Sequence, residues 1–367
     1  MKVTEFRGDG FRNLKQIVIQ PGEGINVIYG QNAQGKTNLI EAIWLFSGAR
    51  SFRSSKESKL IGFDCQRAEL SLEFDDTQRI QKANMVFGAK NKYFLNRVEL
   101  KSPTEYAGNF LCVVFSPAHL SIIQGSPSLR RKFLDSAICQ IRPDYHHYLH
   151  QYEKVLYQRN SLLKELYRQP YLKDTMEIWD LQLAKLGTIV SLLRQDYTDK
   201  VAKFSHHIYQ GISSQKENLR VEYQSTVFDK LGDREYTQDK VQHYLEQLEQ
   251  NLEQDVKQGF TGIGVHRDEV ELLINDVSVK NYGSQGQQRS SILALKLAEA
   301  KLLKSITGNN PVILLDDVMS ELDVSRQDYI LNHVKGHQVF ITCCDISNTL
   351  RLQHGEIFHV EDGRIQS

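Results

Sequence analysis

Gly30-Gln31-Asn32-Ala33-Gln34-Gly35-Lys36-Thr37 fits the pattern G-x-x-x-x-G-K-[ST]. In such a loop the glycines let backbone N–H groups curl around a β-phosphate, and the helix that follows adds its positive end. Lys36 is long enough to reach β- and γ-oxygens, and the Thr37 hydroxyl can ligate Mg²⁺. All eight residues, Gly30, Gln31, Asn32, Ala33, Gln34, Gly35, Lys36 and Thr37, are therefore candidate contacts to ATP. A chance glycine turn is the bland reading, and context argues against it. The apolar run Ile25 to Tyr29 precedes the loop, and a helical stretch with Leu39, Ile40 and Ile43 follows.

Two acids complete that chemistry. Val312-Ile313-Leu314-Leu315 is a continuous apolar run suited to a central parallel strand, and Asp316-Asp317 emerge at its carboxyl end, where α/β sheets place ligands. Asp316 would hold Mg²⁺ through water, so Thr37 and Asp316 are the candidate metal residues. Asp317 would face the attacking water as base or orienter, and Lys36, Asp316 and Asp317 form the expected catalytic set. Adjacent carboxylates at a buried edge are costly without a cation, which favours the metal over a solvated turn. Tyr282-Gly283-Ser284-Gln285-Gly286-Gln287-Gln288-Arg289 opens an Ala/Leu-rich helix. A hydroxyl, mobile backbone N–H groups and a helix dipole there make Ser284, Gly286 and Gln287 a second candidate anion site.

The elements that must position these residues follow from periodicity. The first 115 residues read as short strands, at Ile17 to Ile19, Ile25 to Tyr29, Ala68 to Phe74, Met85 to Phe87 and Leu111 to Phe115, interrupted by one helix from Lys36 to Phe46. From Asp144 to Lys257 the pattern turns to long helices. Leu186, Val190, Leu193, Tyr197, Val201, Phe204 and Ile208 step at threes and fours, as do Val241, Tyr244, Leu248, Leu252 and Val256 before Gly259. Strict heptads are not sustained, so a packed helical lobe is expected rather than a coiled coil. Beyond Gly259 strands and helices alternate again: Val270 to Ile274, Gln287 to Ser305, Val312 to Leu315, Gln338 to Ile341, and an edge hairpin at Ile357 to Val360 with its turn at Asp362-Gly363. The expected fold class is α/β, one domain split by a helical insertion, with segments 1–143, 144–258 and 259–367.

Composition narrows the setting. Lysine plus arginine and aspartate plus glutamate are 45 each, so no net field attracts nucleic acid and any DNA contact must be local. Arg50, Arg53, Lys56 and Lys59 form one cationic cluster, opposed only by Glu57; Arg130, Arg131, Lys132 and Arg142 form another. Such runs are usually solvated faces, and no recognition-helix motif supports sequence-specific reading. The five cysteines have neither disulfide nor zinc spacing, and no stretch reaches the roughly 18 apolar residues of a membrane span, so a cytoplasmic protein without a membrane role is expected.

The phosphate loop, Ser-Gln-Gly-Gln-Gln at 284–288, Leu314-Leu315-Asp316-Asp317 and Ser320-Glu321-Leu322-Asp323 resemble the Walker A, signature, Walker B and D-loop of ABC-type ATPases, in their SMC-related DNA-repair branch. Phe11-Arg12-Asn13-Leu14, Gly48 to Arg53, Phe115-Ser116-Pro117, Gly125 to Pro127 with Arg130 to Asp135, and Gly264-Val265-His266-Arg267-Asp268 resemble the RecF family within it. That resemblance implies an ABC/SMC-type P-loop ATPase head split by an inserted helical lobe. It also implies an ATP-induced homodimer in which the signature of one copy closes over ATP on the Walker A of the other. Duplex and gapped DNA, together with RecR and RecO, are the partners it implies, and slow hydrolysis releases the DNA in recombinational repair of single-strand gaps and in replication. Arg12 is either an ordinary surface arginine or, by the resemblance, a group close to the nucleotide base. His266 and Arg267 are phosphate sensors, braces or parts of a structural turn. The family pattern carries proline where Val265 stands and aspartate where Glu269 stands. Asp317 in place of a glutamate, and Ile341-Thr342-Cys343-Cys344-Asp345 with no switch histidine, also point to slow turnover. The cytosolic ATPase subunit of an ABC-type transporter is the alternative; the helical insertion, the missing histidine and the cationic clusters weigh against it.

Overall fold

Continuous apolar runs and alternating ones belong in different sheets, because the former are buried on two faces and the latter on one. The computed structural model, which describes residues 1–53, 56–166, 169–345 and 355–366 apart from the side chains of Pro170, Leu172, Lys173 and Glu321, follows that division. The chain forms two units: Met1–Leu120 with Ile208–Lys216 and Arg289–Ser367, and Ser121–His207 with Glu217–Gln288. The expected segments 1–143, 144–258 and 259–367 mark changes of sequence pattern, whereas these units mark where contacts gather.

The first unit carries two six-stranded sheets. Its core sheet is built from β3 (Ile25–Tyr29), β8 (Cys112–Phe115), β12 (Val312–Asp316), β13 (Val339–Cys343), β14 (Ile357–Glu361) and β15 (Arg364–Gln366) in the order β15-β14-β3-β13-β12-β8. Every pairing is parallel except β14 with β15. All five residues of β12 are buried, and α1 (Lys36–Leu45) packs on β8, β12 and β13. The expected edge hairpin is present: β14 and β15 pair antiparallel, with β15 outermost and β14 joined inward to β3. The other sheet is antiparallel, in the order β2-β1-β4-β5-β6-β7, from β1 (Lys2–Asp9), β2 (Ile17–Ile19), β4 (Ala68–Asp75), β5 (Ile80–Phe87), β6 (Lys92–Leu95) and β7 (Val98–Leu100). Pattern reading overlooks β1 for a physical reason. Its register shifts between Val3 and Glu5, so the buried Val3 and Phe6 stand three apart and the two-residue alternation is broken. A helix at Val324–His333 (α9) follows β12.

The second unit holds α2 (Leu120–Gln124) beyond its first residue, α3 (Pro127–Ile141), α4 (Tyr145–Leu166), most of α5 (Met176–Ile212), α6 (Gln238–Gln258) and α7 (Val279–Tyr282). It also holds the start of α8 (Gln285–Thr307). The expected stop of α6 is present: Gly259 takes the left-handed conformation at φ 72 and donates its N–H to Asp255 O. A three-stranded sheet, β11-β10-β9, crosses this unit, formed by β9 (Leu219–Gln224), β10 (Glu269–Ile274) and β11 (Val277–Ser278). The expectation of helices alone from Asp144 to Lys257 is corrected by β9. Leu219, Val221 and Tyr223 alternate at period two and face inward, while Arg220 and Gln224 are exposed. Arg159, fully buried, donates 2.6 Å bonds to Asp180 and to Asp255, so its charge is matched inside the unit.

Candidate nucleotide-binding site

The phosphate loop leaves β3 at its carboxyl end and enters α1 through Gly35, which is left-handed at φ 117. Gly30 is required by crowding, since a Cβ there would stand 2.2 Å from Val360 O. Lys36 is buried, and its ammonium donates to Gly30 O at 2.6 Å and to Gln31 O at 2.8 Å, which holds the charge over the mouth of the loop. Two neighbours grip the loop from outside. Asn13 Nδ2 donates to Ala33 O at 3.0 Å, and Asn38 Nδ2 donates to Asn13 Oδ1 at 2.6 Å. On the other side Gly363 N donates to Gln34 O at 3.0 Å and Asp362 N donates to Gln34 Oε1 at 2.5 Å.

Residues 279 apart in sequence meet next: Thr37 Oγ1 donates to Asp316 Oδ1 at 2.9 Å. Thr342 Oγ1 donates to the same oxygen at 3.0 Å and accepts from Asp317 N at 2.8 Å. Burial pushes the Asp316 carboxyl above its usual range, and the hydroxyls of Thr37 and Thr342 oppose that by stabilising the ionised form. Asp317 is left-handed at φ 53, and Ser320 Oγ donates to its O at 2.9 Å and to its Oδ1 at 3.0 Å. Among the described residues no three His, Cys, Asp or Glu side chains gather as a metal cage. Mg²⁺ does not need one, since it keeps several waters and binds through one or two protein oxygens plus phosphates, and the hard oxygens of Thr37 and Asp316 suit it. Where a switch histidine was absent from the sequence, Cys344 Sγ stands 3.0 Å from Asn32 Oδ1 and 3.9 Å from Lys36 Nζ.

Glu41, which the sequence reading missed, organises the arginines beside the loop. It is fully buried on α1 and receives Arg12 through two bonds, of 3.1 and 2.7 Å, and Arg53 at 3.8 Å. Ser51 Oγ also donates to it. The only signal in the sequence was an acid on the apolar side of the P-loop helix. Arg50, Arg53, Lys56 and Lys59 are all exposed, though the Arg53 guanidinium also donates to Asn38.

In the second unit, Ser284 caps α8 in a reciprocal box. Gln287 N donates to Ser284 Oγ at 3.2 Å and Ser284 N donates to Gln287 Oε1 at 2.9 Å. Gly286 is half-buried beside them. The Gly264-Val265-His266-Arg267-Asp268 stretch is a brace in that unit. The carbonyl of Thr261 can only accept, so His266 Nε2 carries the proton at 3.0 Å and Nδ1 accepts from Tyr152 at 2.9 Å. Burial pulls this imidazole down to about 4, against the partial support of the Thr261 bond. Asp268 is buried and accepts from Thr226 N at 2.7 Å, and Arg267 lies over the Phe260 ring at 4.9 Å. Arg130, expected as a surface cation, is instead buried on Glu269 through two 2.6 Å bonds, and Arg131 donates to Asp268 O at 2.7 Å.

The chain matches the RecF/RecN/SMC N-terminal domain model over residues 2–362. It is 39% identical over 337 residues to the DNA replication and repair protein RecF of Acetivibrio thermocellus, covering 91% of each chain. To the protein of that name from Ruminiclostridium cellulolyticum it is 35% identical, covering 98% of this chain and 97% of the relative. A solved structure of the recombination mediator protein RecF-ATP in the RecFOR pathway superposes with a TM-score of 0.90 at 38% identity, over 99% of this chain and 96% of that one. The Smc head domain of Pyrococcus furiosus shares the fold alone, with a TM-score of 0.54 at 15% identity, over 99% of this chain and 95% of that one. By fold, by the layout of the phosphate loop and its paired acids, and by these relatives, the chain belongs to the RecF family of SMC-type ATPase heads.

Proposed function

We propose that this chain is an ATP-dependent DNA-binding switch of recombinational repair and replication, which dimerises on ATP and hydrolyses it slowly. The observation that carries the reading is the meeting of Thr37 and Asp316 at 2.9 Å beside the Lys36 ammonium, an arrangement suited to a magnesium nucleotide. Gly30, Gln31, Asn32, Ala33, Gln34 and Gly35 would supply backbone N–H groups to the phosphates, and Lys36 would offset the charge that develops on the γ-phosphoryl group. Mg²⁺, held by Thr37 and by Asp316 through water, supplies charge neutralisation when bound. Asp317 orients the water that attacks the γ-phosphorus, releasing ADP and phosphate. Ser284, Gly286 and Gln287 would close over the γ-phosphate held by a second copy.

The relatives carry the names of DNA replication and repair proteins, and that sets the transporter reading aside. Exposed Arg50, Arg53, Lys56 and Lys59 are the proposed contacts to DNA phosphates, and RecR and RecO the proposed protein partners. No described helix is long and apolar enough to cross a membrane, and a cytoplasmic place suits a partner of DNA. Two variants test the switch. Lys36→Met loses ATP affinity by roughly a hundredfold and no longer retains duplex DNA. Asp317→Asn still binds ATP but holds DNA long after the wild type has let go. DNA retention by the wild type that is the same with and without ATP, measured by gel shift, would sink the proposal.

A further inference from the structure

Thr342 is the penultimate residue of β13, the strand that lies between the P-loop strand β3 and the Walker B strand β12, and its register sets it opposite both Ile28 and Asp316. Its side chain is 1% exposed, in a place where packing alone would be served as well by valine. The hydroxyl nevertheless makes two bonds of opposite sense, donating to Asp316 Oδ1 at 3.0 Å and accepting from Asp317 N at 2.8 Å. The second bond matters because Asp317 is left-handed at φ 53, a backbone state that L residues avoid without support. Ser320 holds the other end of Asp317 by its carbonyl and carboxylate. With its amide anchored, the Asp317 peptide has one orientation; without the anchor, it can turn out of the left-handed region and take the carboxylate with it.

We propose that Thr342 is a positioning residue for hydrolysis, whose hydroxyl sets the direction of the Asp317 carboxylate by holding the Asp317 amide. Its hydroxyl is not among the groups proposed to touch nucleotide, which come from the P-loop, from Asp316 by way of Mg²⁺ and from the signature of a second copy. This rests on the reading of Asp317 as the group that orients water, so the experiment separates the two.

Thr342→Val keeps the branched shape and removes the hydroxyl; Thr342→Ser does the reverse; Thr342→Ala removes the hydroxyl with less bulk. Single-turnover hydrolysis and ATP affinity are measured for each at saturating Mg²⁺, because the same hydroxyl also supports Asp316, and are scored per molecule competent to bind ATP. The hydrolysis constant falls roughly tenfold to a hundredfold in Thr342→Val and Thr342→Ala, with ATP affinity within about twofold of wild type. Thr342→Ser stays within about threefold in both. In an Asp317→Asn background Thr342→Val causes no further loss, because its effect passes through Asp317. Wild-type hydrolysis by Thr342→Val alongside a slow Asp317→Asn overturns the role of Thr342 alone, and so does a loss confined to ATP affinity or one that adds to that of Asp317→Asn. Wild-type hydrolysis by Asp317→Asn overturns the assignment of Asp317 itself.

Discussion

A carboxyl as buried as that of Asp316 resists ionisation, and two hydroxyls, from Thr37 and Thr342, hold its charged form in place. His266 shows the opposite economy, a base kept neutral by burial, with the cations Arg267, Arg131 and Arg159 pushing the same way. Its ordinary value is 6.5 and here it is drawn to about 4, a gap that corresponds to about 3 kcal/mol. Between those values the unfolded chain binds a proton that the folded chain refuses. The contribution of His266 is therefore complete above pH 6.5 and is lost as pH falls toward 4. In urea titrations the wild type loses more stability over that window than His266→Gln, and parallel curves for the two would contradict the assignment. The candidate site residues were legible because each motif is local: eight consecutive residues for the phosphate loop, two adjacent acids after an apolar strand. Their supports were not. Glu41 and Thr342 have ordinary side chains in ordinary sequence, and Asn13 and Gln34, though they stand in recognisable motifs, gain their supporting bonds only where distant segments meet.

Among the elements, β14 and β15 do more than close a sheet, since the turn between them meets the phosphate loop. Gly363 is left-handed at φ 76, and a Cβ on it would lie 1.8 Å from Asn13 O, the residue that grips the loop from the other side. Gly363→Ala should displace that turn, release Gln34 and weaken ATP binding by roughly tenfold. Gly336→Ala is the control. That glycine is also left-handed, at φ 82, but has nothing within 4 Å, so the change costs about 1 kcal/mol of stability and leaves ATP affinity alone. Calorimetric titration distinguishes them, and equal affinities in both variants would mean that the turn does not shape the site. Strand and helix character could be read from sequence where a helical period held, as in α6, or where an apolar run was unbroken, as in β12. It was lost where a bulge broke the alternation in β1, and where long helices on either side drew β9 into their pattern.

For the whole molecule, the trans arrangement is the boldest part of the proposal and has a direct test. Ser284→Arg places a bulky cation at the α8 cap and should bind ATP yet neither dimerise nor hydrolyse; Lys36→Met is inactive for its own reason. In a mixed dimer one composite site carries both lesions and the other carries none. Hydrolysis that returns on mixing, to about half or less of the wild-type rate, is the expected outcome. Cross-linked mixed dimers that stay inactive would contradict a self-sufficient composite site. The order of the core sheet has a consequence for how the chain is made. Among the described residues β3 pairs with β13 and β14, and β8 with β12, so both early strands wait for partners from the far end of the chain. Asn26 and Val339, which share a hydrogen bond, lie 313 residues apart. Through most of translation the nascent chain therefore carries two bare apolar strands outside the ribosome, a hazard for aggregation and a demand for chaperone cover. A ribosome that stalls before β13 leaves a polypeptide with a full phosphate-loop motif whose strand β3 has neither of its sheet neighbours, so an unfinished copy lacks the frame that mounts the loop.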